Sequence, residues 1–166
     1  MNLEPKTVII LGAIKHGINK FERIEKITQI KDKELNEALE KLENNELIQV
    51  IGKKGLFGNK IEINVTDSGS KKVDEQIHEL QTKWNQMSIL YKTKDKEKLK
   101  ECMDDNKSFF PTMIFFGIMD MMMFSMMFSM MGMAMSSYVP IENIPEGESY
   151  NNLDTSEEES DFDVGV

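Results

Sequence analysis

From Phe109 to Val139 the chain runs thirty-one residues with a single charge, Asp120, and eleven of its fourteen methionines lie between Met113 and Met135. Apolar surface on that scale is rarely left bare on a folded protein, so the stretch must be covered. Three coverings remain open at this point. A bilayer core takes about twenty predominantly apolar residues as a helix, and the length passes that test. Methionine is a weaker apolar residue than leucine, however, and Asp120 near the centre of a span would cost roughly 2.5–3.5 kcal/mol. The second covering is an apolar partner, since methionine has flexible torsions and a polarizable sulfur that mould to varied surfaces. The third is the interior of a dimer. Drawn as one helix at ~100° per residue, Ser125, Ser129, Gly132 and Ser136 share an arc of about 60°. Such a small-residue face lets helix backbones approach closely. Pro111 suits the first turn and locates the start.

The chain before this stretch changes its period. Thr7 to His16 (TVIILGAIKH) predicts a short buried helix stopped by Gly17, and Phe21, Ile24 and Ile27 mark one face of a second. Asp32 is the expected N-cap of a third helix, with Leu35, Ala38, Leu39 and Leu42 on one face. Leu47 to Ile51 and the alternating Ile61 to Val65 predict two strands, joined by a glycine-punctuated loop over Gly52 to Lys60 that is too long for a tight turn. Thr66 then caps a fourth helix, whose apolar residues Val73, Ile77, Leu80, Trp84, Met87 and Tyr91 follow the alternating spacing of a heptad seam. This seam predicts dimerisation or packing on a later part of the chain.

Three helices, a hairpin and a fourth helix resemble the winged helix-turn-helix regulators of the MarR and PadR type. The stretches LNEALEKLENNELIQV, GKKGLFGNK and VTDSG carry the likeness, which covers roughly residues 5 to 91. It implies a winged helix over 1–69 with a long helix over 70–91, and the composition beyond it predicts a charged linker helix over 92–108, a Met-rich apolar helix over 109–139 and a disordered acidic tail over 140–166, an α+β chain as a whole. It also implies DNA as partner and a homodimer through the fourth helix. The third helix would enter the major groove with Lys31, Lys33, Asn36 and Lys41, and the wing would touch backbone with Lys53, Lys54 and Lys60.

Charge agrees with that only in part. The net charge of −9 divides into +3 over residues 1–100 and −12 over 101–166, so the N-terminal part is mildly basic. Yet Lys31 to Glu43 holds three lysines against five acids, and glutamates repel phosphate. The only arginine, Arg23, lies outside the third helix, which leaves no bidentate reader of guanine there. An acidic third helix suits a winged helix that binds protein instead. The expectation is therefore a DNA-binding regulator whose Met-rich segment attaches to a membrane or apolar partner. The rival is an adaptor with no affinity for DNA.

The remaining signals exclude more than they assign. One cysteine, Cys102, rules out an internal disulfide and a multi-cysteine metal site, and fits a reducing compartment. The N-terminus carries no signal-peptide pattern, and the flanks, with six lysines against five acids over 92–108 and nine acids without a base over 141–166, lean toward a cytoplasmic winged helix on the membrane's inner face. His16 and His78 fall in different helices, and no phosphate-loop, nucleophile-elbow or zinc-protease motif occurs, so neither catalysis nor a cofactor or metal is expected.

Overall fold

The run TVIILGAI has no polar face, and its helix is accordingly a buried one. In the computed structural model, which describes residues 2–55 and 58–140 and only the backbone over 53–60, this is α1, Pro5–Lys15. Pro5 occupies the first turn, where a missing N–H costs nothing. Val8, Ile10 and Leu11 are fully buried. α2, Phe21–Thr28, offers only Ile24 to the core and ends at Gln29 with a left-handed φ of 59°. α3, Asp32–Asn44, buries Leu35, Leu39 and Leu42. Its N-cap is Lys31, without a side-chain cap, rather than the expected Asp32. Asp32 instead sits in the first turn with Glu34, where negative charge favours the helix dipole.

β1, Ile48–Gly55, pairs antiparallel with β2, Gly58–Val65, in register from Ile48↔Val65 to Gly55↔Gly58. The long loop expected over Gly52 to Lys60 is thus mostly ladder, and only residues 56 and 57 separate the strands. Glycines at 52, 55 and 58 weaken a strand signal in sequence, but backbone pairing needs no side chain. Ile48 and Ile63 anchor one face of the ladder in the core. Val50 and Ile61 continue that face outward, at 39% and 62% exposure. Asn19, in the turn after α1, accepts a hydrogen bond from the Ile63 N–H at 2.9 Å and donates from Nδ2 to Glu62 Oε1 at 3.0 Å.

α4, Asp67–Lys92, is capped as expected: the Gly69 N–H donates to Thr66 Oγ1 at 3.0 Å, and that hydroxyl donates to the Glu46 carbonyl at 2.7 Å. Gly69 is required there, because a Cβ would stand 2.0 Å from the Leu47 carbonyl oxygen.

The described residues form two compact units that divide inside α4, one running to Leu80 and the other starting at Gln81. In the second unit α5, Lys96–Asn106, begins at the Asp95 cap. A single 3-10 turn, Lys107–Phe109, leads into α6, Phe110–Phe115. α7, Met121–Met131, and a final 3-10 turn, Met135–Ser137, complete it. Trp84, Met87, Leu99, Met103, Phe110, Met113, Phe124, Met127, Phe128 and Val139 form the interior. Phe124 is its hub, edge-on to Phe110 at 5.1 Å, Phe128 at 4.9 Å and Trp84 at 6.2 Å between ring centroids.

Two expectations are corrected here. The stretch 109–139 is not one apolar helix, and among the described residues no helix is long and apolar enough to cross a membrane. Gly117 and Gly132 take left-handed φ values of 64° and 71° and terminate α6 and α7. Asp120, costly in a span, is the N-cap of α7, its Oδ1 accepting from the Met122 and Met123 N–H groups at 3.0 and 3.1 Å. The small-residue face is broken as well: Ser125 is buried, Ser129 exposed, Gly132 the C-cap, and Ser136 in a later turn. Of the two roles open to the heptad seam, burial within the chain accounts for most of it, with Val73, Leu80, Trp84 and Met87 buried and Ile77 and Tyr91 half-buried. The expected disorder of the tail concerns residues almost wholly outside the described ones.

Candidate nucleic-acid interface

α3 follows α2 after a left-handed turn, and burial of Leu35, Leu39 and Leu42 leaves its other side to solvent. Lys31, Lys33, Asn36 and Lys41 are all exposed, as a groove-reading helix requires. They do not form one patch. Lys31 and Lys33 line a shallow cavity of about 520 Å³ with Lys6, Gln29, Glu34 and Glu37. There Lys6 Nζ meets both Glu34 carboxylate oxygens, at 2.9 and 3.1 Å, which neutralises one of the acids that oppose phosphate. Lys6 was not singled out in the sequence because it lies twenty-eight residues from Glu34.

Asn36 lies on the opposite flank. With Leu39, Glu40 and Glu43 it lines a groove of about 640 Å³ whose other wall is the hairpin residues Val50, Ile61 and Ile63, closed by Lys20, Phe21 and Glu22. This groove has an apolar floor and three carboxylates to one ammonium on its rim. The helix therefore sorts its charges: the basic side faces α1 and the acidic side faces the hairpin. Lys41 lines neither cavity.

On the hairpin, the register sets Lys53 opposite Lys60 and Lys54 opposite Asn59, so three lysines occupy the two rungs next to the Gly55↔Gly58 end. Their backbone is held by strand pairing rather than by a loop.

Elsewhere the chemistry is sparse. Cys102 is half-buried; burial pushes its thiol up, and the nearby Lys83 and the Asn106 hydrogen bond only partly offset this. Among the described residues, no group of three or more His, Cys, Asp or Glu is placed to hold a metal ion. Tyr138 donates to Asp104; burial first, and that hydrogen bond second, push the phenol up to about 12, while Asp104 is held low chiefly by Tyr138 and then by Lys100. Compared with known proteins, the chain matches no family model, no curated protein and no solved structure.

Proposed function

We propose that residues 1–80 act as a winged helix-turn-helix that holds duplex DNA by its phosphates, reads little sequence, and makes the chain a cytoplasmic DNA-binding regulator. The observation that carries this reading is the ladder, which brings Lys53, Lys54 and Lys60 onto adjacent rungs near the end of the hairpin. The turn at Asn19, bonded to Ile63, adds the kind of edge contact that braces a wing against its helices. Lys31 and Lys33, beside a Glu34 already neutralised by Lys6, supply a second point of phosphate attachment at the start of α3. Base reading is weak on this account, because the remaining α3 surface is dominated by glutamates and lacks arginine. The C-terminal unit is then a separately built helical module attached to the DNA-binding one. The homodimer belongs to this reading too, but its contact falls to a surface other than the α4 stripe. Sedimentation of the full chain tests that part, and a monomer at the concentrations where DNA is bound would remove it.

The adaptor reading is favoured by one specific observation, the acid-rimmed apolar groove between α3 and the hairpin, which would repel a phosphate backbone laid across it.

A mobility-shift assay on a mixed-sequence duplex separates the two. The DNA reading expects binding at low salt that weakens as salt rises, with the slope of log affinity against log salt falling by about 0.9 for each phosphate contact removed. K53A/K54A/K60A should weaken binding and flatten that slope, and E40Q/E43Q should strengthen it. Absence of a shift even at low salt removes the DNA reading in favour of the adaptor.

A further inference from the structure

Two strand positions in the first unit are apolar without a packing reason of their own. Val50 and Ile61 are exposed on the ladder face that Ile48 and Ile63 anchor in the core. A solvated strand face ordinarily turns polar, and threonine would pair there as well. Opposite Ile61 in the register lies Gly52, where an added Cβ would meet open space, so the partner strand leaves Ile61 uncovered. Across from this surface α3 presents Asn36, Leu39, Glu40 and Glu43. Their spacing puts them on one side of the helix, which walls the groove for about two turns, ~10 Å. The chemistry changes with depth. Leu39 and Ile63 are buried at the floor and Phe21 is half-buried, whereas Glu22, Glu40 and Glu43 are exposed. None of these three carboxylates forms an ion pair among the described residues, unlike Glu34 on the other flank, which Lys6 engages. Lys20 is the one cation lining the groove, and three carboxylates against one ammonium leave it at −2.

We infer that this groove binds a basic amphipathic helix of a partner protein, with aliphatic anchors against Leu39, Val50, Ile61 and Ile63 and lysine or arginine toward the glutamates. The groove is bounded by a sheet face and a helix side, not by a strand edge, so it offers a guest backbone no ladder of hydrogen bonds. A guest must therefore satisfy its own backbone, which a helix does. Charge complementarity selects among guests. The rim repels duplex DNA, and it repels the chain's own tail, which carries nine acids and no base over 141–166. A second copy docked two-fold through the same face would set these carboxylates against themselves. The inference rests on the adaptor reading of the groove and names the partner's chemistry, without requiring that the hairpin lysines be free of phosphate.

The test is fluorescence anisotropy of a labelled helical peptide, leucine on one face and lysine on the other, titrated with the full chain. Saturable binding is expected, and replacing the peptide's leucines by serine or its lysines by glutamate should abolish it. E40Q/E43Q alters only exposed positions and should weaken binding by about 2–30-fold, the range for two exposed ion pairs. Ile61→Lys removes an anchor and repels the guest, and should weaken binding by more than about tenfold. The tail variant E157Q/E158Q removes the same charge as E40Q/E43Q and should leave binding unchanged. No saturable binding by the unaltered chain overturns the proposal, as does an equal loss in the tail variant or undiminished binding by a folded Ile61→Lys. Should Ile61→Lys not fold, E40Q/E43Q against the tail variant decides alone. Self-association that Ile61→Lys disperses, in a chain that ignores the peptide, makes the occupant a second copy and also overturns it. The mobility-shift assay reads the DNA proposal separately, since E40Q/E43Q should move the two ligands in opposite directions. A chain that neither shifts DNA nor binds the peptide keeps the adaptor reading and loses this inference.

Discussion

Replacing Phe124 by alanine tests most directly whether the methionine-rich stretch is an interior. Phe124 is fully buried and meets three other rings edge-on: Phe128 at 4.9 Å, Phe110 at 5.1 Å and Trp84 at 6.2 Å. Truncating a buried phenylalanine to alanine costs about 3–5 kcal/mol, and the three edge contacts place this site toward the upper end. A unit of roughly sixty described residues is stable by only about 3–9 kcal/mol at the usual ~0.05–0.15 kcal/mol per residue. The substitution therefore removes half or more of that stability, and the unfolding midpoint should fall by more than about 10 °C. Trp84 is the only tryptophan, so its fluorescence reports this unit and should shift to the red at lower urea than in the unaltered chain. Phe115, 37% exposed and paired with Phe116 at 5.2 Å, is the control. The same truncation there should cost less than about 1.5 kcal/mol. Equal, small effects at both positions would refute the interior and return the stretch to the status of an attachment segment.

Further outcomes follow from single contacts. Asp120→Ala removes two capping hydrogen bonds and should destabilise the second unit by about 0.5–2 kcal/mol in urea unfolding. Ser125→Ala should be neutral or stabilising in the same assay, since the buried Ser125 hydroxyl has no partner among the described residues. Gly69→Ala forces a methyl against the Leu47 carbonyl and Val65, and should lower the stability of the first unit by about 1–3 kcal/mol, read as earlier loss of far-ultraviolet circular dichroism. The Tyr138 and Asp104 pair gives two pH limits. Tyr138 is raised in the folded chain, so its contribution is whole below the ordinary phenol value of 10.0 and is lost as pH climbs toward about 12. Asp104 is lowered, so its contribution is present above the ordinary carboxylate value and fades as pH falls through the depressed one. Tyr138→Phe should abolish the alkaline loss, followed by tyrosinate absorbance and unfolding together.

Local physics was readable along the chain wherever a residue's role depends on its neighbours in sequence. The period of TVIILGAI marked a helix without a polar face, the Leu35–Leu39–Leu42 spacing marked the buried side of α3, and Thr66 announced the start of α4 through a cap that needs only the next turn. The exposure of Lys31, Lys33, Asn36 and Lys41 was legible for the same reason, as the complement of that buried side. Their division into a basic and an acidic flank was not, because it depends on Lys6 and on the hairpin, residues distant in the chain that fold onto either side of α3. The reach of the ladder to Gly55↔Gly58 was hidden too, since glycine has no side chain to alternate.

The methionines show the division most plainly. Composition establishes that much of the apolar surface of residues 109–139 must leave water, because burying it is favourable whatever covers it and the hydrophobic effect has no direction. It does not say what the cover is. That was settled by Gly117 and Gly132, which turn the backbone left-handed, by Asp120, which is cheaper capping a helix than crossing lipid, and by rings as far apart in sequence as Trp84 and Phe128 that close around Phe124. The pull to bury apolar atoms belongs to the residues themselves, whereas the partner they bury against exists only once distant segments have met.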